Sequence, residues 1–166
     1  MSNSTESNST ESNSTESNST ISEPGAPMQC ARDLMTATPI TIAADASLYD
    51  VHQLMRQYNI RHIPVTDDKQ HLVGMLTQKV IIAQVMKIIS VFGADALERK
   101  EKQTPVSEIM LTRFDTVDSS DQLIDIAKFF LNNRHGCMPV LEAKKLVGVL
   151  TSSDFVRLSI SLIEKS

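Results

Sequence analysis

The strongest constraint on this chain is that it carries one pattern twice. Asp33-Leu34-Met35 recurs as Glu108-Ile109-Met110, and Asn59-Ile60-Arg61-His62-Ile63-Pro64-Val65 recurs as Arg134-His135-Gly136-Cys137-Met138-Pro139-Val140. Gly74-Met75-Leu76-Thr77 recurs as Gly148-Val149-Leu150-Thr151. The offset is 75 residues from Met35 to Met110 and from Pro64 to Pro139, and 74 from Gly74 to Gly148 after a one-residue deletion in the intervening turn. A register sustained over that length means the duplication of one supersecondary unit. A single copy would expose a sheet face, so the two copies must pack together.

Each unit reads helix–strand–helix–strand–strand–helix, an α/β (α+β) arrangement of a small three-stranded sheet with helices packed on it. In the first unit the lead helix is Ala31 to Met35 and the short strand Ile40 to Ile42. Ser47 and Asp50 suit a capping box, and Leu48, Val51 and Met55 form the buried stripe of the next helix. Strands follow over Ile60 to Val65 and His71 to Leu76, then a helix from Gln78 to Phe92, which Gly93 ends. In the second unit the same elements fall at Val106 to Met110, Asp115 to Val117, Cys137 to Leu141, Lys145 to Leu150 and Ser152 to Ile163. Ser119 or Ser120 is expected to cap its middle helix, with Leu123, Ile126, Ala127, Phe130 and Leu131 facing inward. The methionines Met35, Met55, Met75, Met86, Met110 and Met138 read as core fillers. The units are bounded as 28–92 and 104–166, with a charged, partly helical connector at 93–103.

Residues 2–20 are built from Ser-Asn-Ser-Thr-Glu and bury almost nothing, so 1–27 is expected to be a disordered low-complexity tail. The 16 basic and 20 acidic residues give a formal charge of −4 without a basic patch, which disfavours nucleic acid. No apolar run reaches membrane-spanning length, and the N-terminus lacks the basic and apolar regions of a signal peptide. Cys30 and Cys137 form neither a disulfide framework nor a metal set by spacing. A cytoplasmic chain is therefore expected, with no membrane partner.

One stretch carries chemistry. Gly148 to Asp154 reads as the end of a buried strand, a sharp turn and the start of a helix. Free backbone N–H groups at a helix N-terminus, two hydroxyls and a carboxylate can hold a phosphate and a ribose. The same Thr-x-x-Asp is also a capping box that satisfies the helix and does nothing else. Both readings stand on the residues alone.

Taken together, the Leu-Met or Ile-Met before the first turn, the x-Pro-Val strand and the Gly-apolar-apolar-Thr turn, in two ordered sets over residues 29–160, resemble a tandem pair of CBS domains, a Bateman module. The resemblance implies two pseudo-symmetric repeats with two clefts, each built from both repeats, that bind adenosine-containing ligands: AMP, ADP, ATP or S-adenosylmethionine. Carried over by position, one cleft combines Thr38, Ile40, Ile60, Arg61, His62 and Pro64 with Thr151, Ser153 and Asp154. Asp154 would accept from the ribose hydroxyls, Thr151 and Ser153 would donate to phosphate, Ile40 and Ile60 would sandwich the adenine, and Arg157 would add positive charge. The other cleft pairs Arg113, Phe114, Asp115, His135, Gly136, Cys137 and Pro139 with Thr77 and Lys79. There Val80 replaces the ribose aspartate, so that cleft is expected to be weak or empty, with Lys79 leaving room for an anion.

His62 and His135 are read as equivalent strand-edge residues with a structural role. Cys137 beside His135 invites a nucleophile reading, but no orienting third group accompanies it. No acid–base pair, metal set or nucleophile constellation is evident, so the chain is read as no enzyme. It is read instead as a regulatory sensor of an adenine nucleotide that needs no cofactor. The alternative is a dimerisation or protein-interaction module without ligand. Val80, Ile81, Val85, Ile88 and Ile89 can face the interior, leaving Ile82, Met86 and Val91 outside. With Leu158, Ile160 and Leu162 of the last helix, these point to a two-fold homodimer, and an effector protein is a possible further partner.

Overall fold

The computed structural model describes residues 27–134 and 136–166. The expected disorder of the tail and everything expected of His135 therefore lie outside the described residues. The elements are α1 (Ala31–Leu34), β1 (Thr36–Ala37), β2 (Ile42–Ala43), α2 (Leu48–Tyr58), β3 (His62–Thr66), β4 (Leu72–Thr77) and α3 (Gln78–Phe92), followed by a 3-10 turn at Ala94–Ala96. The second half continues with α4 (Leu97–Gln103), α5 (Val106–Ile109), β5 (Val117–Asp118), α6 (Leu123–Asn133), β6 (Cys137–Glu142), β7 (Lys145–Thr151) and α7 (Ser152–Glu164).

Two sheets result, ordered β2-β3-β4 and β1-β7-β6-β5. In each, a two-residue strand runs parallel to the Pro-Val strand, Ile42 opposite Val65 and Val117 opposite Val140. That strand in turn runs antiparallel to the glycine strand, Val65 opposite Gly74 and Val140 opposite Gly148. The short strands lie slightly later than expected, at Ile42–Ala43 rather than Ile40–Ile42 and at Val117–Asp118 rather than Asp115–Val117. In the first repeat the cause is local. Thr38 has φ 48°, a left-handed conformation that a β-branched residue adopts at a cost, and Pro39 follows it, so the extended run resumes only after the turn.

The second sheet has four strands instead of three because β1, from the first repeat, adds to its edge. Thr36 lies opposite Val149 and Ala37 opposite Gly148. The counterpart on the other side is a single antiparallel bridge from Leu111 to Met75, with both backbone hydrogen bonds formed. The lead segments are thus exchanged between repeats. Val106 and Ile109 of α5 are buried in the first core with Leu48, Val51, Ile63, Val65 and Leu76, while Ala31 of α1 is buried in the second with Val117, Ile126, Phe130, Val140 and Leu150. Burying such aliphatic side chains contributes about 1.5–3 kcal/mol each, so neither core is complete without the other repeat's arm. Arg32 fastens the first arm from outside, donating from Nη2 to Ser119 Oγ at 3.0 Å and to Glu142 Oε1 at 2.6 Å.

The exchange also accounts for the paired Met and Gly motifs. Each lead methionine lies across the other repeat's glycine, so a Cβ at Gly74 would stand 2.5 Å from Met110 Sδ and one at Gly148 would meet Met35. Gly is required here for close approach, not for its dihedral freedom.

Some details differ from expectation. Gln122, not Ser119 or Ser120, precedes α6. Ser119 is buried and accepts from Arg32, and Ser120 donates to Asp118, so both serve the turn that precedes Gln122 rather than the helix end. Leu131 is 81% exposed and Phe129 packs against the second core instead, because α6 turns its Leu123–Ile126–Phe130 stripe inward. Met86 is exposed on α3 rather than in the core. The connector's α4 docks on α2 through a buried carboxylate, Glu101, whose Oε1 lies 3.1 Å from His52 Nδ1. Among the described residues no single helix is long and apolar enough to cross a membrane; α3 and α4 reach that length only together, across a 118° bend at Gly93.

Candidate functional site

Strand exchange brings the β1 arm of the first repeat alongside β7 of the second, and a cavity of about 700 Å³ opens between them. Its first wall is the turn Thr38-Pro39-Ile40 beyond β1. Its second is Ile60, Arg61, His62 and Pro64, where α2 ends on Asn59 (φ 50°) and β3 begins. Its third is Thr151 to Asp154 with Arg157 on the first turns of α7. All ten residues assigned to this cleft from the sequence, Thr38, Ile40, Ile60, Arg61, His62, Pro64, Thr151, Ser153, Asp154 and Arg157, line that one cavity. Thr38, held in a left-handed conformation, is among them, so backbone strain sits in the wall.

Asp154 is the buried charge of the site, 5% exposed. Its Oδ2 accepts from the Thr151 backbone N–H at 2.7 Å and the Thr151 hydroxyl at 2.9 Å; its Oδ1 accepts from Arg157 Nη1 at 3.1 Å. The capping arrangement is therefore real. It does not exhaust the group, because a carboxylate offers about four lone-pair sites and these bonds take three. The Ser152 and Ser153 side chains are exposed at the helix N-terminus, where backbone N–H groups and the helix dipole favour an anion.

The electrostatics of the remaining wall are lopsided. Burial, reinforced by the neighbouring Arg61 charge, lowers the His62 pKa from its ordinary value, so the imidazole is held neutral. Burial, reinforced by the Asp154 carboxylate, pushes the Cys137 thiol up to about 12, so it stays protonated. A thiol so placed is a poor nucleophile, against the catalytic reading of Cys137.

Cys137 and Gly136, assigned from the sequence to the other cleft, line this cavity. The reason is register: Cys137 pairs with Thr151, as His62 pairs with Thr77, so each stands beside the capping threonine of its own repeat. His62 is therefore equivalent to Cys137, not to His135, and its ring approaches Gly136 so closely that a Cβ there would lie 3.0 Å from Nε2. Thr36, Pro39, Asn59, Val149 and Ser152 complete the lining and were not assigned to the cleft from the sequence. The first and fourth follow from β1 pairing with β7, which sequence spacing does not reveal.

On the other side of the molecule, Thr77 caps α3, its Oγ1 accepting from Val80 N at 3.2 Å. Val80 packs against the first core where α7 carries Asp154, so this turn has no carboxylate. Lys79, Arg113 and Asp115 are exposed, and Phe114 is half-buried. Among the described residues, no group of three or more His, Cys, Asp or Glu side chains is placed to hold a metal ion.

Comparison with known proteins places this architecture. The model of the CBS domain matches residues 31–87 and 106–161. A Vibrio cholerae protein described as an acetoin utilization protein (AcuB) superposes with a TM-score of 0.71 at 31% identity, covering 83% of this chain and 95% of that one. The structure of CBSX2 in complex with AMP superposes at 0.66 with 26% identity, covering 80% and 97%. The CBS domain pair of protein MJ0100, in complex with 5′-methylthioadenosine and S-adenosyl-L-methionine, superposes at 0.64 with 25% identity, covering 81% and 98%. Three curated relatives are 26%, 27% and 24% identical, and the chain spans 83%, 24% and 13% of their lengths. The chain belongs to the CBS domain family, as a tandem pair.

Proposed function

We propose that this CBS pair is a non-catalytic regulatory module that binds an adenosine-containing ligand, AMP, ADP, ATP or S-adenosylmethionine, in the cavity between the β1 arm and the α7 turn. The observation that carries the reading is the convergence of ten residues from both repeats, among them Ile40, Ile60 and the buried Asp154, on one cavity of about 700 Å³. That volume falls in the range of small-molecule sites. The relatives that carry AMP, 5′-methylthioadenosine and S-adenosyl-L-methionine support the same ligand class. Adenine lies between Ile40 and Ile60, the ribose hydroxyls donate to Asp154, and Thr151, Ser153 and the α7 N-terminus receive phosphate. Because the cavity is walled by both repeats, a ligand there ties the β1 arm to α7 and changes the surface a partner meets.

The protein acts as a two-fold homodimer in the cytoplasm. Ile82, Met86, Val91 and Phe92 on α3 are each more than half exposed, as are Val156, Ile160, Leu162 and Ile163 on α7. Two such apolar faces on one small protein are an association surface. A second reading has its own support. Asp154 is already engaged in capping, which an interaction module without ligand would also need.

Calorimetry with Asp154→Ala separates the two. The ligand site loses about 1.5–3 kcal/mol of binding, the scale of hydrogen bonds to a charged group. The capping-only module loses about 1 kcal/mol of stability and shows no ligand binding before or after the change. Wild-type affinity retained in the variant contradicts the site assignment.

A further inference from the structure

We infer that Arg32, which lies outside the cavity, is a positioning residue for it: its clasp on Ser119 and Glu142 seats the β1 arm against β7 and so sets how tightly the cavity holds a ligand. The inference rests on the adenosine-site reading above and adds to it a control point remote from the ligand. The duplication supplies the comparison. Both lead helices, α1 and α5, are docked by the same backbone bonds. The Ala31 N–H donates to the Asp121 carbonyl and the Arg32 N–H to that of Ser119, as Val106 donates to Ala46 and Ser107 to Ala44. In return the Leu123 N–H donates to the Gln29 carbonyl, as Leu48 does to Thr104. The side chains are not duplicated. Arg32 Nη2 donates to Ser119 Oγ at 3.0 Å and to Glu142 Oε1 at 2.6 Å. At the repeat offset, Ser107 stands in place of Arg32 and Ala44 in place of Ser119, so the second arm has neither the reach nor the hydroxyl for such a clasp.

The clasped arm is the one that walls the site. Past α1 it pairs with β7 over two residues, Thr36 opposite Val149 and Ala37 opposite Gly148, and then supplies Thr38, Pro39 and Ile40 to the cavity that holds Asp154. The unclasped arm reaches its sheet by the one bridge from Leu111 to Met75 and runs on to Arg113, Phe114 and Asp115 of the cleft at Val80. An edge strand of two exposed residues opens locally at low free energy. The clasp acts on that opening rather than on the whole fold. Arg32 and Glu142 are each about half exposed, so their ion pair adds little to global stability. Ser119 is buried, so one end of the clasp is anchored inside the second repeat. A ligand that needs the arm seated binds with an apparent affinity reduced by the fraction of molecules in which it is not.

The test joins calorimetric titration of AMP to hydrogen–deuterium exchange read by mass spectrometry, on the full chain and on Arg32→Gln, Glu142→Gln, their combination and Arg32→Lys. AMP binds Arg32→Gln and Glu142→Gln about three- to tenfold more weakly than the unmodified protein, the scale of one or two lost hydrogen bonds. Exchange over residues 36–40 speeds up by a similar factor, while exchange over residues 111–115 of the unclasped arm is unchanged. General destabilisation would speed both. Combining the two substitutions costs no more than Arg32→Gln alone, because they break one clasp. Arg32→Lys keeps AMP affinity within about twofold, because both bonds leave a single nitrogen that an ammonium with three donors can replace. Unchanged exchange over residues 36–40 in Arg32→Gln, or equal acceleration in both arms, overturns the positioning role. Accelerated exchange with AMP affinity unchanged overturns the link from arm to cavity. An unmodified protein that does not bind AMP overturns the adenosine reading instead, and the difference in exchange between the two arms then decides whether Arg32 seats β1.

Discussion

Replacing Gly148 by alanine tests whether the exchanged arm is seated as closely as described. A Cβ at Gly148 overlaps Met35 Sδ and stands 2.9 Å from both Met35 Cγ and the Thr36 carbonyl oxygen. Met35 can rotate. The Thr36 carbonyl cannot move without disturbing the pairing of Thr36 with Val149 that holds β1 on the second sheet. At Gly74 the three nearest atoms are all side-chain atoms of Met110, at 2.5, 2.9 and 3.1 Å, and no backbone atom is among them. Overpacking a close-packed site costs about 1–3 kcal/mol, and Gly148→Ala belongs at the upper end with Gly74→Ala at the lower. The gain from a less flexible unfolded chain, about 0.4–1 kcal/mol, applies to both and leaves their order unchanged. Adding Met35→Ala to Gly148→Ala removes two of the three overlaps and leaves the carbonyl. The double variant should therefore be more stable than additivity predicts by about 0.5–2 kcal/mol. Urea unfolding followed by circular dichroism on the four proteins of the cycle measures this coupling. Strict additivity, or a Gly148→Ala no more costly than Gly74→Ala, refutes the arm-on-glycine packing.

Two further outcomes follow. Ile82→Glu with Met86→Glu, both on the exposed face of α3, yields a soluble monomer by light scattering where the unmodified chain is a dimer; an unmodified chain that is monomeric at micromolar concentration rejects the dimer. Cys137, with its thiol raised from the ordinary 9.0 to about 12, keeps a form that is stable below pH 9 and loses that contribution as pH rises toward 12, since the unfolded chain ionises first. At pH 8 its alkylation by iodoacetamide, followed by mass spectrometry, is therefore on the order of a thousandfold slower than that of a free thiol, and rapid labelling at Cys137 contradicts its burial beside Asp154.

Much of this fold was legible because the chain spells it twice. Strand and helix positions read from one copy could be checked against the other, and the apolar stripes Leu48–Val51–Met55 and Leu123–Ile126–Phe130 are buried as their spacing demands. The exchange of arms was not legible, because local patterning says that Thr36 and Ala37 can extend but not which sheet edge they join. That one unseen pairing explains the four-stranded sheet and Val149 in the cavity wall. It also explains why the second core needs Ala31. Cys137 was misplaced for a different reason. It stands 75 residues after His62, so the repeat offset assigned it to the second cleft, whereas its pairing with Thr151 sets it in the wall of the cavity that holds Asp154. The ten cleft residues came from family resemblance by position. Their assembly around one cavity is a fact of the structure, and their contact with a ligand is the proposal it supports.

The most direct measurement is a crystal structure of the chain with AMP. The account predicts one nucleotide per chain, with adenine between Ile40 and Ile60, ribose hydroxyls on Asp154 and phosphate at Ser153 and Arg157, and with the turn at Val80 free of adenosine because it offers no carboxylate. A nucleotide seated beside Val80, or a cavity at Asp154 that stays free of nucleotide at saturating AMP, contradicts it.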